Sequence, residues 1–198
     1  MIELLGKSLL ELQEVCLEGR FPKFRAKQIM DYIYHRYVFD FDAMLQLPGP
    51  MREWLKQHCS ISLPKVVTQS VAPDGNTRKL LLELKDGSRV ETVLMAQHYG
   101  NSVCVSSQCG CAMGCASTTG GLHRDLEAYE IIAQVLLFAS LLGEDIHSMV
   151  VMGSGEPLQN YEQVVKALRL IHDKETFNIS YRKMTLSTCG WVDNIYRL

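Results

Sequence analysis

The chain has 198 residues, 47% of them hydrophobic and 21% charged, with a formal net charge of −2. That length and composition fit a globular chain of one or two domains and exclude a disordered, collagen-like or strongly basic one. No apolar run is long enough to span a bilayer, and the first residues, MIELLGKSLLELQE, carry acids where a secretory leader is basic. A monomeric cytoplasmic protein with no membrane partner is the expectation.

The first sixty residues read as helical. Leu9, Leu12 and Cys16 recur at helical spacing, and Phe24, Ile29, Met30, Ile33 and Tyr34 form an apolar stripe. A further short helix begins near Pro50, which suits a first turn. Between Arg20 and Arg36, Lys23, Arg25 and Lys27 face only one acid, Asp31. A solvated helix face and an RNA-facing patch both account for this run.

The pattern changes near Leu63 and Pro64. Asp74-Gly75-Asn76 and Asp86-Gly87-Ser88 are turn signals between strand-like runs, which predicts a β-meander over roughly 65–72, 78–84 and 89–96. Glu91 interrupts an apolar run there; exposure on an edge strand and a functional acid are both open.

From about residue 101 strands and helices alternate. SVCVSS, HSMVVMG and KMTLST read as strands. LEAYEIIAQVLLFASLLG and YEQVVKALRLIHDK read as helices, with Asp125 and Asn160 as N-caps and Gln163 in the capping-box position of the second. Two βαβ units in series predict parallel strands joined by right-handed crossovers. The expected fold class is therefore α/β. A small helical unit (1–63) is followed by a β-meander linker (64–100) and a truncated, partial (β/α) barrel (101–198).

Seven cysteines without a secretory leader argue against a disulfide framework. Cys104, Cys109, Cys111 and Cys115 fall within twelve residues, whereas Cys16 and Cys59 read as buried thiols. Cys111-x3-Cys115 in a glycine-rich loop is a soft-metal candidate, since thiolates select zinc or iron–sulfur; the spacing alone does not separate a site from chance. Two glycine-containing turns also follow strands: Met152-Gly-Ser-Gly-Glu-Pro and Leu186-Ser-Thr-Cys-Gly190. Turns at strand C-termini are where barrel and α/β enzymes place ligands.

Cys104-Val-Ser-Ser-Gln, Gly110-Cys-x3-Cys115 and the following ASTTGGLHRDLEAYEI resemble the cluster region of the RlmN and Cfr family of radical S-adenosylmethionine RNA adenine methyltransferases. The resemblance extends to FRAKQIMDYIY near the start, to the GEP turn and to the LST strand, so it covers essentially the whole chain.

It implies a [4Fe–4S] cluster held by Cys111 and Cys115 and S-adenosylmethionine contacted by Gly155, Glu156 and Ser187, with Glu91 as proton acceptor. It also implies 23S rRNA and tRNA as substrates, a helical unit that engages RNA, and an electron donor such as flavodoxin. In that family a radical generated at the cluster activates a methylated cysteine near the C-terminus, which adds to C2 of adenine.

The chain departs from the pattern in one place. Where the family reads Cys-x3-Cys-x2-Cys before AST, this sequence passes from Cys115 directly into Ala116-Ser117-Thr118, three residues and one cysteine short. A fragment or inactive copy is therefore expected, with a non-catalytic RNA- or cofactor-binding remnant or a small metal-binding protein as alternatives. Cys189 stands where the family has serine and reads as a packing residue.

Overall fold

The first helix, α1 (Leu9–Glu18), starts at a reciprocal cap. Ser8 Oγ accepts from Glu11 N–H, and the Glu11 carboxylate accepts from Ser8 N–H. Its Leu12 and Cys16 are buried, as the spacing predicts. The second stripe forms α2 (Arg25–Met30) and continues as a π-helical turn, Asp31–His35, which buries Tyr32, Ile33 and Tyr34. Phe24 of that stripe is exposed. After a short 3-10 turn (Phe41–Ala43), α3 (Gly49–His58) begins with Pro50 in its first turn. The two-residue strands β1 (Ile2–Glu3) and β2 (Cys59–Ser60) pair in parallel and tie the ends of this helical unit together.

The computed structural model describes residues 1–98, 100–113 and 120–198. The meander is present as β3 (Lys65–Val71), β4 (Thr77–Glu83) and β5 (Arg89–Gln97), all antiparallel. It is continuous with the barrel strands. β5 pairs with β6 (Gly100–Val105), and β6 pairs in parallel with β9 (Ile146–Val151), which pairs in parallel with β10 (Met184–Leu186). One six-stranded sheet results, in the order β10-β9-β6-β5-β4-β3. A small hairpin lies outside it, β7 (Gln108–Gly110) with β8 (Leu122–Asp125).

Helices α4 (Ala128–Leu142) and α5 (Tyr161–His172) are the two crossovers, and a short α6 (Val192–Ile195) follows β10. α4 packs on β6 and β9 and against α5. This buries Val103, Val105, Met149 and Val151 on the helix-covered face. The opposite face carries Leu81, Glu91, Val93, Cys104, Val150 and Thr185, which stand beside one another in register. That face is only partly covered.

The predicted caps need correction. Asp125 closes β8, and α4 is capped instead by Glu127, in a reciprocal arrangement with Glu130. Asn160 occupies the N-cap position of α5 without capping it. Its side chain donates to Ser107 O (2.9 Å) and Leu126 O (2.7 Å). Gln163 accepts from Ala128 N–H at 3.0 Å. In each case a tertiary polar partner displaced the local one.

Candidate functional site

The C-terminal ends of β6, β9 and β10 lie at the same edge of the sheet because the three strands run parallel. The turns after these strands are locked together by side chains. Ser106 Oγ donates to Glu91 O (2.7 Å) and accepts from Ser154 N–H (3.0 Å). Gln134, buried in α4, accepts from Ser106 N–H and donates to Ser106 O. Gln108 is fully buried; its amide oxygen accepts from Glu156 N–H (2.8 Å) and its nitrogen donates to Asp125 (2.7 Å). Buried amides are tolerated where every donor and acceptor is matched, which is the case here.

Two glycines let these turns touch. A Cβ on Gly153 would stand 2.5 Å from Ser106 Oγ, and one on Gly155 would stand 2.5 Å from Gln108 Cβ. Gly155 also holds φ +105°, a conformation side chains resist. Glu156, 3% exposed, then reaches across to the third turn. Its carboxylate accepts from Thr188 Oγ1 (2.7 Å), Cys189 N–H (2.8 Å) and Leu158 N–H (2.9 Å). Burial works against its charge, but the donors of Cys189 and Thr188 outweigh burial and hold its pKa below the ordinary value.

Of the sequence-predicted residues, Glu91, Gly155, Glu156 and Ser187 gather at this edge. Glu91 is not on an edge strand, since β5 lies between β4 and β6. Its carboxylate is half exposed on the open face and pairs with Lys79 at 2.9 Å. Ser187 is exposed, its backbone N–H bonded to Val151 O. Cys189 is exposed rather than packed; Glu156, ahead of all other causes, raises its thiol pKa, and Cys111 adds to the effect. The Ser106, Gln108, Gln134 and Asn160 network was missed as such, because nothing in the local sequence shows which polar residues will be buried together.

The cysteine loop is described in part. Cys111 is buried; its backbone N–H donates to Gly121 O, and its sulfur accepts from Met113 N–H at 3.4 Å. Cys115 lies outside the described residues. Cys109 turns away from the edge, its thiol against Ser88 Oγ (3.4 Å) and its pKa raised by burial. The hairpin that carries it is fixed by Arg124. This side chain bonds Glu130 through two nitrogens (2.7 and 2.8 Å) and Asp86 in the β4–β5 turn (2.6 Å). Cys16 and Cys59 are buried thiols, pushed up by burial to about 11 and about 12. Among the described residues no three His, Cys, Asp or Glu side chains are grouped to hold a metal ion.

The basic run of the helical unit is partly neutralised. Arg36 pairs with Asp31 (2.6 Å), Lys27 with Glu175 (2.9 Å), and Arg25 bonds Gln28 and Gln46 O. Among the described residues no helix is long and apolar enough to cross a membrane.

This edge, with helices on one sheet face and three bridged strand-end turns, defines a partial (β/α) barrel of the radical S-adenosylmethionine methyltransferase type. A solved radical SAM methyltransferase from Sphaerobacter thermophilus superposes with a TM-score of 0.92 at 37% identity, covering 100% of this chain and 60% of that one. Residues 2–61 match the family described as the ribosomal RNA large subunit methyltransferase N-terminal domain. A probable dual-specificity RNA methyltransferase RlmN from Symbiobacterium thermophilum is 47% identical over 198 positions, 98% of this chain and 53% of the relative. One of the same description from Clostridium botulinum strain Okra is 44% identical over 201 positions, 100% of this chain and 59% of the relative. The chain belongs to the RlmN family and spans little more than half the length of these relatives. The second alignment has more positions than the chain has residues, so it contains gaps in this sequence.

Proposed function

We propose that this chain is the cofactor-organising portion of a radical-SAM RNA methyltransferase that acts on C2 of adenine in 23S rRNA and tRNA, and that with its shortened cysteine loop it does not complete the reaction. The observation that carries the reading is the polar lock joining the β6, β9 and β10 turns, in a chain that aligns with RlmN relatives along its whole length. The helical unit (1–63) is the RNA-engaging part of the proposal, the meander (64–100) its connection, and 101–198 the barrel.

The residues present suit S-adenosylmethionine. The Glu156 carboxylate is taken up by internal donors, so it sets the turn. What remains for the methionine end of the cofactor is the backbone around Gly155 and the exposed Ser187 hydroxyl. Bound there, S-adenosylmethionine supplies the methyl group. Glu91 stands at the same edge as the proposed proton acceptor, its carboxylate 2.9 Å from Lys79 Nζ. The donor set for the cluster does not fit the family's three-thiolate arrangement. The sequence offers Cys111 and Cys115 before Ala116-Ser117-Thr118 where the family has three cysteines, and the Cys109 thiol lies against Ser88 Oγ.

The experiment is anaerobic reconstitution with iron and sulfide, followed by iron counting and EPR after reduction. The chain is expected to hold far fewer than the roughly four irons of a [4Fe–4S] centre. A variant with three residues ending in cysteine inserted after Cys115 is expected to reach that content. A full complement in the unaltered chain would overturn the inactivity, and failure of the insertion variant would overturn the cluster reading.

A further inference from the structure

A cavity of ≈ 430 Å³ lies away from the strand-end turns, at the opposite end of β9 and β10. It opens in the seam between the helical unit and the barrel, where the edge-to-face pair of Tyr34 and Phe177 joins the two. Its volume is that of a small-molecule site. Its charge is unlike the rest of the seam. Elsewhere cations there are matched, Lys27 with Glu175 and Lys166 with Glu11. Lys174 and Lys183 line the cavity, are exposed, and form no ion pair among the described residues. His35 and His147 line it as well, against one acid, Asp145. His147 Nδ1 accepts from Asn101 N–H (3.3 Å), which leaves Nε2 as the ring's donor. Tyr37 adds an aromatic wall.

Unpaired lysines and imidazole donors around a half-enclosed space favour a phosphate, and an adjoining aromatic ring favours a base or sugar stacked beside it. We propose that this seam cavity receives one nucleotide and its phosphodiester from the RNA strand, as an anchoring site remote from the reacting end of the barrel. The proposal rests on the RNA-methyltransferase reading. It gives the junction of helical unit and barrel a binding role beside that of the helix face, where Arg36 is ion-paired with Asp31 and Arg25 is hydrogen-bonded to Gln28 and Gln46 O.

The test is fluorescence anisotropy of a labelled RNA hairpin titrated with the 198-residue chain at several salt concentrations. K174Q/K183Q is compared with K65Q/K85Q, which removes the same charge from the meander. Both pairs are exposed, and circular dichroism checks that each variant is folded. K174Q/K183Q is expected to weaken binding about tenfold or more and to lower the salt slope by roughly one unit per lysine. K65Q/K85Q is expected to leave affinity within about twofold, the change expected of charges that touch no phosphate. Equal weakening by both pairs would reduce the effect to general charge and overturn the cavity site. Unchanged binding by K174Q/K183Q would overturn it while leaving the RNA reading intact. No binding by the unaltered chain would overturn the RNA reading itself.

Discussion

The helical unit and the strand-end edge are held by opposite means. The first is apolar: Leu4, Leu12, Ile29, Ile33, Met44 and Leu55 are all fully buried. The second is polar: Ser106, Ser107, Gln108, Gln134 and Glu156 are buried, with Ser106 hydrogen-bonded to Gln134, Gln108 to Glu156 and Ser107 to Asn160. Apolar packing is non-directional and tolerates small shifts, whereas a buried amide or carboxylate fixes the position of its partners to within hydrogen-bond range. The difference suits a scaffold at one end and an oriented ligand platform at the other.

The largest effect that would sharpen this contrast is Ile33→Ala. It is expected to lower unfolding free energy by about 4 kcal/mol through loss of burial and a cavity, read from the denaturant midpoint. Its cost should not change with salt. Arg124→Met should cost about 3 kcal/mol, because it strands the buried Glu130 carboxylate. Adding Glu130→Gln should recover much of that loss; no recovery would break the assignment of this region to charge pairing. Gly155→Ala comes next at about 2 kcal/mol, from the positive φ and the approach to Gln108. Hydrogen exchange should then quicken at Glu156 and Ser154 while the helical unit stays protected.

The smallest effect is one of pH. Glu156 has a folded pKa below its ordinary value of 4.5, so its contribution is complete above the unfolded value and is lost as pH falls through the folded one. Asp86, which donors on Arg124 and Ser88 hold low, acts in the same direction. Glu156→Gln should flatten part of the acid limb of stability, measured from about pH 5 down to about pH 2. An unchanged limb would show that the carboxylate is not held as described.

How far the sequence reached obeys the same division. Periodicity located α1, α2 and α3, the three meander strands within a residue or two, and both βαβ units, because a 3.6- or 2-residue repeat is written locally. Capping was less legible. Asp125 and Asn160 have the right residue types for caps, yet each serves a partner distant in sequence, Gln108 in one case and Ser107 with Leu126 in the other. The hairpin of β7 and β8 was also not foreseen, since Gln108–Gly110 is too short to show alternation.

The sequence by itself determined the family resemblance, the α/β class and the identity of Glu91, Gly155, Glu156 and Ser187 as residues to watch. It also recorded the loop's lack of a third cysteine, as a matter of counting. Only the tertiary structure decided that Glu91 lies on an interior strand beside Lys79, that Glu156 is spent on Thr188 and Cys189, and that Cys109 faces Ser88. The physical reason is that hydrophobic pattern is a property of neighbours along the chain. The partner of a buried polar atom is chosen by whichever group the fold brings within about 3 Å.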